Sequence, residues 1–241
     1  VFLISMPILH SGFGMEGLEW LNAPDRWVAQ DGKDEGRGGT YSIEGEADAM
    51  LLCPPSKKDF WRRTYYRPLL VKDDGPALLK TVDGTEPLTL SVSFDLTAES
   101  QFDQAGAMVR VDECNWIKTG IEVVDGVPRL SCVVTKDGYS DWSTQILPEG
   151  HTTKAETDTV SVSLSMRVSQ MGDGAYVIEY LDADGVYQFV RICQLCTAPS
   201  DVRLGVFACC PEAQRGCTAR FTTFSVETGV HFEHDASGNL Q

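Results

Sequence analysis

Hydrophobic and polar residues alternate strictly over residues 159–168, with Val160, Val162, Leu164, Met166 and Val168 on one face and serines, a threonine and Arg167 on the other. A period of two is that of a strand with one face buried. Runs at 49–52, 88–96, 176–181, 186–192, 202–209 and 220–227 also read as strands, the middle pair forming a hairpin around Asp182-Ala183-Asp184-Gly185. No ten-residue window carries a helical stripe with a cap and a stop. Many short strands separated by Gly, Asp and Pro turns predict an all-β sandwich.

The sharpest prediction lies in 101–135. Asp125-Gly126 separates two alternating runs, and both residues of such a turn must take positive φ. A two-residue loop there pairs Glu122 with Arg129, Ile121 with Leu130 and Thr119 with Cys132. Upstream, a three-residue loop at Glu113-Cys114-Asn115 would pair Val111 with Ile117 and Ala107 with Ile121. Both turns put Ala107, Val109, Val111, Ile117, Ile121, Leu130, Cys132 and Val134 on one face of a three-strand meander. The opposite face carries Gln104, Met108, Arg110, Trp116, Lys118, Glu122, Arg129, Ser131 and Thr135. A one-residue slip would destroy that segregation.

Composition narrows the partners. The net charge of -15, with no Lys/Arg cluster, argues against nucleic acid and against anionic membrane. No run is long enough to span a bilayer. Residues 1–9 are apolar but lack a basic start and contain Pro7, so they make a poor signal peptide. With no visible secretory signal, the eight cysteines read as reduced thiols, and the expected location is cytoplasmic. Cys193-Gln194-Leu195-Cys196 followed by Cys209, Cys210 and Cys217 only loosely resembles a zinc arrangement, and no metal is expected there. His231 and His234 fall in a polar tail, and Asp182-Ala183-Asp184-Gly185 is explained by a turn without calcium. Residues 32–39 form a glycine-rich acidic loop with no strand-to-helix context for phosphate. The organisation expected is an N-terminal extension (1–16), one sandwich domain (17–227) and a polar tail (228–241).

Four motifs are specific together: Asp59-Phe60-Trp61-Arg62, Phe102-Asp103-Gln104-Ala105-Gly106, 115–122 (Asn-Trp-Ile-Lys-Thr-Gly-Ile-Glu) and Ser140-Asp141-Trp142-Ser143. With 18–24 and 219–224 they make the chain resemble the regulation-of-enolase-like proteins, a domain of unknown function, over nearly its whole length. The resemblance implies a concanavalin A-like jelly-roll sandwich of two curved antiparallel sheets. It carries over no catalytic residues.

Candidate site residues come from these motifs. Gln104, Arg110, Lys118 and Glu122 share one sheet face with Trp116, while Asp59, Trp61, Arg62, Asp141 and Trp142 lie in the flanking motifs. Carboxylates and amides accept from hydroxyls, Lys and Arg donate, and an indole offers a flat platform to a sugar's C–H face. The alternative is a solvated sheet face with a Glu122–Arg129 ion pair and tryptophans that plug the sandwich rims. Hydrolysis would need two carboxylates at set separation with one kept protonated, and Arg129 opposite Glu122 would lower that group's pKa. The glucanase-type Glu-x-Asp-x-x-Glu strand is missing: Glu156-Thr157-Asp158 is followed by Ser161 where the second Glu should stand. The expected role is therefore non-catalytic binding of a carbohydrate or other polyhydroxy ligand on the concave face, without a cofactor. A regulatory protein acting through a protein partner, and then a glycoside hydrolase, are the alternatives.

Overall fold

A computed structural model of the chain describes residues 12–13, 16–24, 26–27, 40–44, 49–154, 159–195, 200–212 and 217–230. The glycine-rich loop at 32–39, Glu156-Thr157-Asp158, Cys196 and the tail histidines lie outside the described residues. Strands are numbered in chain order. One sheet runs β17 (Tyr187–Gln194), β16 (Ala175–Leu181), β15 (Val160–Gln170), β9 (Leu88–Ala98), β19 (Thr218–Thr228), β5 (Ala49–Cys53), β4 (Thr40–Glu44), β3 (Arg26–Trp27). It also takes β1 (Gly12–Phe13) against β19 and β14 (Thr152–Lys154) against β15. The other sheet runs β13 (Tyr139–Ile146), β12 (Val127–Lys136), β11 (Trp116–Val124), β10 (Gln104–Arg110), β18 (Asp201–Cys209), β8 (Ala77–Asp83), β2 (Leu18–Leu21). A separate hairpin joins β6 (Phe60–Arg62) to β7 (Val71–Asp73). The large sheets pair almost entirely antiparallel and pack face to face, which is the jelly-roll sandwich the resemblance implies.

The alternation in β15 and β9 does what its period requires. Val162, Leu164, Met166 and Val168 meet Leu90, Val92, Phe94 and Leu96 in a core shared with Ala107, Val109, Ile117, Ile121, Leu130, Cys132 and Val134 from the second sheet. The Asp125-Gly126 turn has φ of 52° and 76°, and Glu122–Arg129, Ile121–Leu130 and Thr119–Cys132 pair as expected. The upstream register is different. Val109, and not Val111, pairs with Ile117, and Ala105, and not Ala107, pairs with Ile121. The loop is Asp112-Glu113-Cys114, closed by a hydrogen bond from the Val111 amide to the Asn115 carbonyl. Asp112 Oδ1 holds it by accepting from the Cys114 amide at 2.7 Å and from Asn115 Nδ2 at 3.0 Å. The slip is two residues, an even number, so every side chain keeps its face.

β8 and β13 are strands that alternation does not reveal. Ala77-Leu78-Leu79 is continuously apolar because both faces are covered: Leu78 lies in the sandwich core, Ala77 and Leu79 under the β6–β7 hairpin. β13 is a largely exposed sheet edge, so its polar composition hides it.

The concave face of the seven-stranded sheet is not open. The segment bearing β6 and β7 lies over it and builds a second apolar cluster, in which Phe60 and Trp61 meet Ala77, Leu79, Met108, Trp116, Val133, Phe207 and Cys209. The molecule thus has two cores, one between the sheets and one beneath this flap.

Candidate functional site

The face expected to hold a ligand, or alternatively to be solvated, is buried. Gln104 is 2% exposed, Lys118 3%, Arg110 4% and Glu122 6%. Charged groups at such depth must be paired, and the flap supplies the partners. Lys118 Nζ donates to Asp59 Oδ1 at 2.7 Å. Arg110 binds Asp73 through two parallel hydrogen bonds of 2.7 and 2.8 Å. Gln104 Nε2 donates to the Phe102 carbonyl at 3.1 Å and reaches Asp59 Oδ1 at 3.4 Å. Two floor cations therefore clamp two flap carboxylates.

Glu122 has a different arrangement from the one its register suggests. Arg129 is its strand neighbour, but the carboxylate turns to Ser131, whose Oγ donates to Glu122 Oε2 at 2.6 Å. Trp142 Nε1 in turn donates to Ser131 Oγ at 2.9 Å. The expectation of a lowered pKa is overturned: burial pushes Glu122 up, Lys118 and the Ser131 hydroxyl counter it, and the charge of Asp59 adds to the rise. Burial alone would depress the Lys118 ammonium, but the charges of Asp59 and Glu122 outweigh it and hold the group above its usual value.

Around these charges lies one narrow cavity of about 30 Å³, lined by Asp59, Trp61, Tyr66, Leu70, Phe102, Lys118, Glu122, Val133 and Trp142. It has room for about two waters. Trp61 stands edge-on to both Tyr66 and Trp142, with ring centroids 5.6 and 6.5 Å apart, and Phe102 meets Trp142 at 6.3 Å. Burial, then the nearby charges of Asp59 and Glu122, raise the Tyr66 hydroxyl's pKa.

Of the ten sequence candidates, Asp59, Trp61, Lys118, Glu122 and Trp142 line the cavity, and Gln104 touches it through Asp59. The others do not converge there. Trp116 is fully buried against Phe60, so it is a core side chain and no platform. Arg110 is locked to Asp73. Arg62 is buried, with its amide bonded to Ser140 Oγ and its guanidinium 3.5 Å from Glu113. Asp141 is exposed and pairs with Arg191 of β17 at 3.3 Å. Tyr66, Leu70, Phe102 and Val133 complete the lining without having been expected. Phe102 was inside a quoted motif, whereas Tyr66 and Leu70 enter only because the chain between β6 and β7 folds back over the sheet.

Residues 40–229 match the family described as Protein of unknown function (DUF1349). The chain belongs to that family. "Regulation of enolase protein 1" of Saccharomyces cerevisiae is 42% identical over 105 residues, covering 44% of this chain and 50% of that protein. An uncharacterised protein of Emericella nidulans is 29% identical over 110 residues, covering 44% of this chain and 52% of its own length. The aligned stretches span about half the length of these curated relatives. A crystal structure of a functionally unknown protein from Saccharomyces cerevisiae superposes with a TM-score of 0.70 at 28% identity, over 90% of this chain and all (100%) of that one. The GH43 protein BlXynB from Bacillus licheniformis matches at TM-score 0.56 and 12% identity, over 78% of this chain and 34% of its own, which is a likeness of fold alone. No helix among the described residues is long and apolar enough to cross a membrane.

The buried carboxyl of Glu122 makes a pH prediction. A carboxyl whose folded pKa is raised binds its proton more tightly in the folded state. Its stabilising contribution is complete below the ordinary value of 4.5 and is lost as pH rises through the folded pKa. Glu122→Gln removes that loss. Urea midpoints measured upward from pH 4.5 should fall less steeply for the variant than for the wild type; parallel slopes would show that folding does not raise the carboxyl's pKa.

Proposed function

We propose that this domain is a non-catalytic binding module for a small polyhydroxy compound at the Asp59–Lys118–Glu122 cleft. The observation that carries this reading is the juxtaposition of one buried and one partly buried carboxyl group and one buried ammonium with the rings of Trp61, Tyr66 and Trp142. Carboxyl acceptors and an ammonium donor beside indoles match the alternating hydroxyl and C–H surfaces of a polyol. The cavity admits a hydroxyl edge and not a whole ring, since ligand pockets run to about 300–1,000 Å³. The ligand's body would therefore lie outside, against Trp142 and the chain at 63–70.

The same dimensions weigh against hydrolysis. Glu122 has the raised pKa of a general acid, but Asp59 is engaged by Lys118 and the cleft has no space for a scissile bond and its water. A second reading, regulation through a protein partner, has its own observation. Ile146 of β13 and Phe189 and Ile192 of β17 are exposed apolar residues on two neighbouring edge strands, joined by a Gln145-to-Val190 hydrogen bond and the Arg191–Asp141 pair. The name of the yeast relative agrees with it. We place the domain in a reducing, cytoplasmic location because the seven described cysteines are unbridged and Cys132 lies as a thiol in the sandwich core.

Calorimetric titration of the chain with a panel of monosaccharides and linear polyols tests the main reading. One panel member should saturate a single site, and Glu122→Gln should weaken it by about tenfold to a hundredfold, the worth of a charge-assisted hydrogen bond. Saturation by no member of the panel, or undiminished binding in the variant, would reject it.

A further inference from the structure

The fold assembles a second cluster of chemistry in the sandwich core, one residue along the chain from Phe102 and Gln104 of the cleft. Asp103 stands just before β10, Cys210 just after β18 and Cys217 just before β19. All three are buried, and the Asp103 carboxylate and the two sulfurs lie within 4.8 Å of one another. We infer that Asp103, Cys210 and Cys217 form a zinc site that ties the two sheets together where β18 passes to β19.

Three observations bear on this. First, Asp103 is 0% exposed, yet its Oδ1 has no hydrogen-bond partner. Its other oxygen, Oδ2, is fixed by the Glu99 and Ser100 amides at 3.0 and 2.9 Å. A carboxylate fixed by amides on one side and facing the Cys210 thiol on the other is what an outer shell of hydrogen bonds does to a metal ligand. Second, the Cys217 amide donates to Cys210 Sγ at 2.9 Å, so the backbone already fixes one sulfur of the set. Third, the sulfurs are 3.2 Å apart. Zinc at about 2.3 Å from each sulfur in tetrahedral geometry sets them about 3.8 Å apart, an adjustment of roughly 0.6 Å. A disulfide at about 2.05 Å would need closure by roughly 1.2 Å, so metal asks the smaller movement.

Two thiolates and a carboxylate make a soft, anionic set that suits zinc over magnesium or calcium, leaving a fourth position to water or a backbone carbonyl. Binding replaces the acidic protons of the three groups with one dication, and no electron is transferred. The sequence offered Cys210 and Cys217 only as part of a loose zinc-like arrangement with Cys193 and Cys196, where no metal was expected. The third ligand comes from a strand more than a hundred residues earlier, and only sheet pairing brings Asp103 to them.

The test uses the whole chain, reduced and stripped with chelator, titrated with Zn²⁺ and with Co²⁺. One equivalent of zinc should bind, melting should rise by about 5 °C or more in excess zinc, and cobalt should give a thiolate-to-metal charge-transfer band. Asp103→Asn should weaken zinc at least tenfold, Cys217→Ser should abolish it, and Cys114→Ser, in an exposed turn, should leave it unchanged. Should Cys217→Ser fail to fold, the cobalt spectrum of the wild-type chain decides. No charge-transfer band, zinc retained in folded Cys217→Ser, or a mass loss of two hydrogens from a Cys210–Cys217 disulfide formed under glutathione disulfide in place of zinc binding would each overturn the site.

Discussion

Lys118→Met is expected to destabilise the domain by about 3–5 kcal/mol, the cost of leaving buried charge without its partner. Met keeps most of the side chain's volume, so the loss is electrostatic and not a cavity. Asp59 and Glu122 both feel the ammonium, and neither forms an ion pair with another cation among the described residues. For a chain of this length the melting temperature should fall by roughly 6–20 °C. The deficit should shrink on acidification, because protonating the carboxyls removes the uncompensated charge. Adding Glu122→Gln to Lys118→Met should restore part of the loss, giving a coupling of about 1–3 kcal/mol between the two positions. A Lys118→Met protein within 1 kcal/mol of wild type by denaturant unfolding (about the worth of a surface pair) would mean that the cleft charges are solvated and the flap does not seal them.

That flap explains what could and could not be read from residues alone. The alternation in β15 and the Asp125-Gly126 turn each depend on neighbours within a few residues, so strand, face and register were legible there. The upstream loop failed by two residues because Asp112 closes the turn with its own carboxylate, a competitor that hydrophobic pattern does not register. The polar face of the meander was placed correctly but its environment was not. A sheet face carrying Gln104, Lys118 and Glu122 looks the same in sequence whether water or a covering segment satisfies it. Asp59 and Asp73, which settle the matter, belong to a segment with little periodicity, held by ion pairs and by Phe60 and Trp61. Trp116 and Trp142 illustrate the same limit: they sit in similar motifs, yet one is sealed in the second core and the other borders the cleft.

Gly106→Ala should be among the most damaging small substitutions in the concave sheet, costing more than about 3 kcal/mol, at or beyond the upper end of ordinary overpacking. Gly106 pairs with Gly120 between β10 and β11, and the two backbones approach so closely that neither tolerates a Cβ. At Gly106 that atom would lie 2.0 Å from the Thr119 carbonyl oxygen and 2.7 Å from the Gly120 Cα. Both obstacles are backbone, so no side chain can swing aside; the strands themselves must part. This is also the pairing that sets Gln104 opposite Glu122 and Met108 opposite Lys118, so separation would disturb the charged floor directly. Gly126→Ala makes the comparison. Its Cβ would meet nothing within 4 Å, and only its φ of 76° carries strain. That substitution should cost about 1 kcal/mol, the ordinary penalty of a left-handed alanine. Denaturant unfolding of both variants separates the two effects. Equal losses would show that the β10–β11 approach can relax, and that the floor of the cleft does not depend on the glycine pair beneath it.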